Sequence, residues 1–243
     1  MNQKMHYTVP YASPAYGPPP YHMQEGHVLL VTFDIDEATA TEFVAPPLKW
    51  DAGTLVSAFI GDMLQIPYCG RFHEGGIVFS VTHCDVTAPY TPYLWTSTDE
   101  AMIVGREVYG MPKMLCDDDS QVEWSGNQVR GVVNRRGEEI MAINLNIEEK
   151  VDPAEVPRND SRLSVRVIPD PSGGNKNRRQ VLHFALDDFA VHDAWKGPAT
   201  LRLPPHPQFR THELMPDHAI LTGYYLQVSW TLGLAQILAE EEG

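Results

Sequence analysis

The sequence predicts a mainly β fold of the α+β type: one antiparallel, β-barrel-like domain with a few short helices. About nine segments rich in β-branched and aromatic residues are spaced along the chain. No strand–helix–strand alternation, heptad pattern or internal repeat is present. No Pro/Gly/Ser linker is long enough to separate two hydrophobic cores, so a single domain is expected.

The clearest strand signal is a meander over residues 121–147. The segments QVEW, QVRGVVN and EIMAINLNI are separated by the turn sequences SGN and RRGE. Three antiparallel strands are therefore predicted there. The segment PYCGRFHEGG is interpreted as a loop or bulge. Further predicted strands cover residues 27–33, 53–60, 75–83, 163–169, 180–186, 199–203 and 219–230.

A short helix is predicted near Thr98–Val108. Ser97 stands three residues before Glu100, which is the spacing of a capping box. Gly110 and Pro112 prevent the helix from continuing. Residues 111–114 are therefore expected immediately after a helix end.

Two parts of the chain differ in composition. Residues 1–21 contain five prolines and four tyrosines, which favours an extended arm. Such an arm is either a disordered tail or, on our preferred interpretation, docked on its own domain or on a neighbouring subunit through its tyrosines. Residues 22–243 are interpreted as the single domain.

Charge and motif content exclude several classes of function. Eighteen Lys+Arg against 32 Asp+Glu give a net charge of −14, which disfavours nucleic acid as a partner. No apolar run approaches the ~18 residues of a membrane span, and no signal peptide is recognisable. Three cysteines without CxxC spacing and ten histidines without HxxxH spacing predict neither disulfides nor a metal site. We expect a cytoplasmic protein.

Lys113 stands in an unusual place for a side chain that normally seeks water. It follows a proline at a helix end and lies between Met111 and Met114. From spacing alone, the more frequent outcome is a stem that lies along apolar surface with its ammonium in solvent. The alternative is an amine that forms a Schiff base.

Several segments resemble the acetoacetate decarboxylase superfamily. GREVYGMPKM (105–114) resembles its lysine motif, and VHDAWKGPATLRL (191–203) resembles its second characteristic segment. SPAYGPPPY (13–21), FVAPPL (43–48) and RVIPDPSG (166–173) are also similar to family segments. The resemblance thus extends over nearly the whole chain.

The resemblance implies a mostly antiparallel barrel-like fold, oligomeric assembly and a lysine that forms an imine with a substrate ketone. Lys113 matches that lysine. The family's decarboxylases carry a second lysine where this chain has Met114, and a second glutamate at the position of Phe59. Their arginine falls near residues 25–27, where this chain has none. Glu74 matches the remaining family glutamate.

The departures disfavour simple decarboxylation but leave imine chemistry intact. An apolar wall with Met111 and Met114 favours the uncharged, nucleophilic form of a lysine. Glu74 is the candidate proton shuttle, although a glutamate at such a position is ordinarily a solvated loop residue. Phe59 is a candidate for the substrate-binding wall.

Tyrosines and one arginine complete the candidate site. Tyr68, Tyr93 and Tyr109 are candidate hydrogen-bond donors to the substrate, although aromatic residues in a β protein are more often in the core. For Arg106 a structural ion pair with Glu107 is the preferred interpretation, and a contact with an anionic substrate is the alternative.

The leading hypothesis is a lyase that needs no cofactor and no metal. It forms a Schiff base with a small, pyruvate-like oxo acid and condenses it with an aldehyde, followed by dehydration, as an aldolase-dehydratase does. Decarboxylation of acetoacetate or another 3-oxo acid is the first alternative. A non-catalytic small-ligand binding protein of the same fold is the second. No nucleic acid or membrane partner is expected, and the resemblance implies a homo-oligomer.

Overall fold

The computed structural model describes residues 7–66, 69–156, 160–174, 176–214 and 221–242, and most of them lie in strands. That part of the chain contains the α-helices α1 (Glu37–Phe43) and α2 (Asp99–Glu107), with 3₁₀ helices at Pro153–Glu155 and Thr211–Glu213. The strands are β1 (Tyr21–Phe33), β2 (Lys49–Trp50), β3 (Val56–Ile66), β4 (Gly70–His83), β5 (Val86–Thr96), β6 (Lys113–Leu115), β7 (Gln121–Ser125), β8 (Gln128–Arg135), β9 (Glu138–Asn146), β10 (Glu149–Val151), β11 (Ser161–Ile168), β12 (Arg178–Arg202) and β13 (Leu221–Glu242).

The strands form one large sheet in the order β6-β5-β4-β3-β1-β13-β12-β9-β8-β7. β2 pairs with β4, whereas β10 and β11 pair with β12. Pairing is antiparallel except between β5 and β6, which are parallel. The predicted mainly β fold is confirmed. The barrel-like curl stays open, because no hydrogen-bonded pairing within the described residues joins β6 to β7.

The curl of the sheet encloses a first hydrophobic core. Leu29 of β1 and Ile60 of β3 are fully buried in it. Gly131 of β8 lies directly over them, since a Cβ at this glycine would be 3.0 Å from Cβ of Ile60 and 3.2 Å from Cδ2 of Leu29. The glycine therefore lets β8 cross β1 and β3 at close range.

A second hydrophobic core lies on the other face of β1, β3 and β4. Met23, Met63 and Phe72 are buried there. They lie beside Val104 of α2 and Tyr109 of the turn that follows this helix. Each such side chain contributes about 1.5–3 kcal/mol on burial. The second core therefore holds α2, and with it the segment around Lys113, against the sheet.

Three local features differ from the predictions. The helix cap is Thr98, whose Oγ1 accepts from the N–H of Ala101 at 3.4 Å, because the Ser97 hydroxyl instead accepts from the N–H of His73 at 2.9 Å. The segment expected as a loop at residues 70–76 is the start of β4. β12 is one long strand whose bulges, for example between Asp187 and Ala190, interrupt the alternation that marks a strand in the sequence.

The described part of the N-terminal arm, from residue 7 onward, docks on the protein's own α2. Tyr16 is 4% exposed and donates a hydrogen bond from its hydroxyl to Oε2 of Glu107 at 2.5 Å. The ring of Tyr7 packs edge-on against Tyr16 at 5.8 Å. The division into an arm (1–21) and a domain (22–243) stays a prediction, and residues 1–6 lie outside the described residues.

No helix within the described residues is both long enough and apolar enough to cross a bilayer.

Tyr16→Phe tests the docking of the arm. We expect a melting temperature roughly 2–4 °C lower at pH 8, because a hydrogen bond to a carboxylate contributes about 1 kcal/mol or more. Burial, together with the bond to Glu107, raises the pKa of Tyr16 from 10.0 to about 12. Its protonated hydroxyl therefore stabilises the fold below pH 10, and this contribution disappears as the pH rises through 12.

Thermal scans of wild type and Tyr16→Phe at pH 8 and pH 11 provide the measurement. The difference between their melting temperatures should be smaller at the higher pH. Tyr7→Phe is the matched control, since it keeps the ring contact and removes an exposed hydroxyl. A difference in melting temperature that does not depend on pH would contradict a stabilising hydrogen bond from Tyr16 to Glu107.

Candidate active site

Lys113 lies at the start of β6, directly after the turn that ends α2, and it is only 7% exposed. Its Nζ is 5.2 Å from the centre of the Phe72 ring. Its stem lies along Gly105 of α2, where a Cβ would come within 2.6 Å of the lysine Cδ. The glycine therefore provides the space in which the lysine stem lies.

The backbone around Lys113 is held by hydrogen bonds from both sides. The N–H of Met111 donates to the carbonyl of Gly105 at 2.9 Å, and β6 pairs Lys113 with Leu94 of β5. Arg106 donates from Nη1 to the carbonyl of Lys113 at 3.2 Å. Arg106, proposed from the sequence as an anion-binding candidate, is not among the residues that line the cavity described below.

Glu74 reaches Lys113 from β4. Its Oε2 is 2.5 Å from Nζ of the lysine, and the two side chains are 14% and 8% exposed. The residue expected in a loop is thus inside a strand, with Gly61 and Thr96 opposite it. The contact places a carboxylate, a group that can accept a proton, directly against the lysine nitrogen.

Both side chains line a cavity of about 420 Å³. This volume is within the range of sites that take small organic ligands. Its wall is mostly apolar and includes Phe59, Met63, Phe72, Met111, Phe184 and Trp230. The sequence-derived candidates Phe59 and Met111 therefore share the cavity with Lys113 and Glu74. The described residues contain no cluster of three or more His, Cys, Asp or Glu side chains arranged to hold a metal ion.

Arg162 of β11 also lines the cavity and was missed by the sequence analysis. Burial lowers the pKa of its guanidinium to about 10, while the charges of Glu74 and Asp160 act in the opposite direction. Its Nη1 donates to the carbonyl of Ser161 at 2.7 Å. The residue stands one position before the strand predicted at 163–169, so the strand's period-two pattern, extended by one residue, was the available signal.

Met114 is not at the cavity. It pairs with Trp95 in the sheet and packs against the first core. Consecutive side chains of a strand point to opposite faces, so Lys113 and Met114 cannot share one wall. The apolar surroundings of the lysine come from Phe72 and Met111 instead.

Two of the three tyrosine candidates, Tyr93 and Tyr109, do not line the cavity. Tyr93 stacks on Trp95 at 5.7 Å, and its hydroxyl accepts from the N–H of Arg210 at 3.4 Å. Tyr109 is fully buried, and its hydroxyl donates to the carbonyl of Gly233 at 2.8 Å. Burial raises its pKa well above the ordinary value. Tyr68 lies outside the described residues.

Two solved structures share this fold over nearly the whole chain. An acetoacetate decarboxylase superposes with a TM-score of 0.86 at 21% identity and covers 97% of this chain and 96% of its own. The enduracididine biosynthesis enzyme MppR, complexed with the condensation product of pyruvate and imidazole 4-carboxaldehyde, gives 0.81 at 19% identity, with 96% of each chain covered. At these identities the likeness concerns the fold.

Sequence comparisons identify relatives over the same length. The acetoacetate decarboxylase of Ralstonia nicotianae is 24% identical over 239 residues, which is 97% of this chain and 95% of the relative. Acetoacetate decarboxylase 1 of Bradyrhizobium diazoefficiens is 25% identical over 234 residues, which is 95% and 92%. The acetoacetate decarboxylase family model matches residues 7–241. The chain therefore belongs to the acetoacetate decarboxylase family.

Proposed function

We propose that this protein is a lyase that forms a Schiff base between Lys113 and the carbonyl carbon of a small oxo acid. The observation that carries the proposal is the buried pair of Lys113 and Glu74, 2.5 Å apart in an apolar cavity. A neutral amine is the nucleophile, and Glu74 takes the proton that the ammonium must lose. The family membership supports imine chemistry at this lysine.

The first half of the reaction makes an enamine. The Lys113 amine adds to the ketone of a pyruvate-like acid, and Glu74 in its acid form protonates the resulting hydroxyl, which leaves as water. The iminium then withdraws electrons from the adjacent methyl group, and the Glu74 carboxylate removes a proton from it. One carboxyl group thus alternates between acid and base without a second shuttle.

The second half joins an aldehyde. The enamine carbon attacks the aldehyde carbon while Glu74 protonates the aldehyde oxygen. Glu74 then removes a second proton from the same carbon and protonates the new hydroxyl, which leaves as water. Hydrolysis of the conjugated iminium releases an unsaturated oxo acid and returns the Lys113 ammonium and the Glu74 carboxylate.

The size of the cavity supports a reaction with two substrates. A three-carbon oxo acid occupies only a small part of about 420 Å³, and the remaining apolar volume suits the side chain of an aldehyde. MppR, which has a similar fold, was solved with pyruvate and with a pyruvate–aldehyde condensation product.

Decarboxylation of a 3-oxo acid is the second candidate. The apolar wall favours it, because loss of carbon dioxide is assisted when the carboxylate is removed from water and needs little acid–base help. The curated relatives are named acetoacetate decarboxylases. Both reactions begin with the same imine at Lys113. A trapping experiment therefore tests both of them, and the mass of the trapped adduct tells them apart.

Borohydride trapping tests the imine and the route together. We expect wild-type protein incubated with pyruvate and borohydride to gain the mass of the reduced adduct, and Lys113→Ala to gain none. With acetoacetate in a parallel sample, an adduct of acetone mass would identify decarboxylation. Intact-mass spectrometry is the measurement. No lysine-dependent adduct with either acid would overturn the proposal and favour a binding protein.

Glu74→Gln tests the proton shuttle. We expect condensation of pyruvate with an aromatic aldehyde to slow by roughly a hundredfold or more, since general acid–base catalysis commonly contributes 10²–10⁴. Imine trapping after long incubation should remain detectable, because Lys113 is retained. Glu138→Gln, at an exposed glutamate of β9, is the control and should react at the wild-type rate. Equal condensation rates for Glu74→Gln and wild type would exclude the role.

Gly105→Ala tests the packing of the lysine stem. The added methyl would lie 2.6 Å from Cδ of Lys113, so the lysine stem must shift, and we expect this shift to draw the amine away from Glu74. Alanine is better than glycine in a helix by about 1 kcal/mol, so α2 should lose no intrinsic stability. We expect a trapping rate at least tenfold lower with helix content unchanged in circular dichroism. An unchanged rate would show that the stem has room to shift.

A further inference from the structure

Strand β5 passes directly below the ion pair of the cavity. Glu74 belongs to β4 and Lys113 to β6, and β5 lies between these two strands in the sheet. Adjacent strands are about 4.8 Å apart, so the two outer strands are separated by roughly 10 Å. The 2.5 Å contact between the two side chains therefore crosses over β5. The side chains that β5 directs to this face lie closest beneath the pair.

Thr96 is the residue of β5 that stands opposite Glu74. The two residues are paired in antiparallel register. Residues paired in this way direct their side chains to the same face, with Cβ atoms about 4.5–5.5 Å apart. On its other side Thr96 pairs with Leu115 of β6, and its carbonyl accepts from the N–H of Cys116 at 2.9 Å. The backbone of Thr96 is thus held by both neighbouring strands, which fixes its side chain beside Glu74.

The hydroxyl of Thr96 is buried without a partner. The residue is 0% exposed, and its Oγ1 forms no hydrogen bond with any of the described residues. Such a hydroxyl destabilises a fold, because it has lost its contact with water without gaining a hydrogen bond. Buried polar groups without partners are rare in folded proteins, and a functional site is one of the places where they occur. Valine has nearly the same shape, so packing alone does not require a threonine here.

Glu74 changes its contacts during the proposed reaction. In the free protein its Oε2 lies against Nζ of Lys113, which carries three N–H groups as an ammonium. In the iminium the nitrogen keeps one N–H, and the carboxylate must turn toward the methyl group of the bound acid to remove a proton. A buried carboxylate that turns away from its cation needs another hydrogen-bond donor. The Thr96 hydroxyl, on the same face and without a partner among the described residues, is such a donor.

We infer that Thr96 is a positioning residue for Glu74, and that its hydroxyl donates to the Glu74 carboxyl group in the steps that follow formation of the iminium. The inference rests on the proposed function. The hydrogen bond holds one oxygen of the carboxyl group, so that the other oxygen faces the substrate. Thr96 itself neither contacts the substrate nor exchanges a proton with it. Formation of the imine starts from the contact between Lys113 and Glu74 and does not need this bond.

Exchange of the pyruvate methyl protons in D2O tests the inference. In wild type, Glu74 removes a proton from the iminium and returns a deuteron to the enamine, and proton NMR follows the loss of the methyl signal. We expect the exchange rate to fall roughly ten- to one-hundredfold in Thr96→Val, as for loss of a hydrogen bond to a charged group. The half-saturating pyruvate concentration in borohydride trapping should stay close to the wild-type value. The melting temperature should be unchanged or higher, because valine removes the unpaired hydroxyl.

Further variants separate the hydroxyl from the shape of the side chain. Thr96→Ser keeps the hydroxyl and should exchange at close to the wild-type rate. Thr87→Val, at an exposed position of the same strand, is the matched control and should do the same. If Thr96→Val does not fold, Thr96→Ala takes its place.

Three results would overturn the inference. They are exchange at the wild-type rate in the folded valine or alanine variant, exchange as slow in Thr96→Ser as in Thr96→Val, and imine trapping without methyl exchange in wild type. Absence of trapping in wild type would instead overturn the proposed function.

Discussion

The ion pair between Lys113 and Glu74 is the interaction on which the arrangement of the site depends. Two charges removed from water cost several kcal/mol each unless each finds the other at hydrogen-bonding distance. The protein meets this requirement by placing β4, β5 and β6 side by side, so that the glutamate and the lysine enter one cavity from strands that are not direct neighbours. The pair is thus a structural contact, and the proposed function also depends on it.

The backbone around the pair is accordingly rigid. Gly105 leaves room for the lysine stem, Arg106 binds the lysine carbonyl, and Gly110 packs against β11. These residues touch no cavity space themselves. Their arrangement explains why the segment GREVYGMPKM combines a helix end, two glycines and a proline within ten residues. The residues of this motif thus place one lysine side chain in a buried position.

The sheet and the candidate site residues were predicted from the sequence for different reasons. Alternating apolar residues and short turns predicted the strands, because a half-buried strand imposes that period. Lys113 and Glu74 were identified through resemblance, since spacing alone favoured a solvent-directed lysine and a loop glutamate. Met114 was misplaced because β6 has only three residues, too few to show the alternation of a strand in the sequence. The strand begins at Lys113, so the side chain of Met114 points to the other face. Arg162 was missed because it stands one residue before the strand predicted at 163–169, and because Glu74, which lines the same cavity, is far from it in the chain.

The contacts at the end of α2 also determine when the site can be completed. Tyr16 binds the Glu107 side chain and Arg166 binds the Glu107 carbonyl, so segments separated by 91 and 59 positions meet at this one residue. During synthesis, Lys113 emerges long before β11 is available to pack against Gly110. A nascent chain that ends before residue 166 therefore contains Lys113 but not the strand that packs against Gly110. The completed site belongs to the late stages of folding, when contacts distant in sequence have formed.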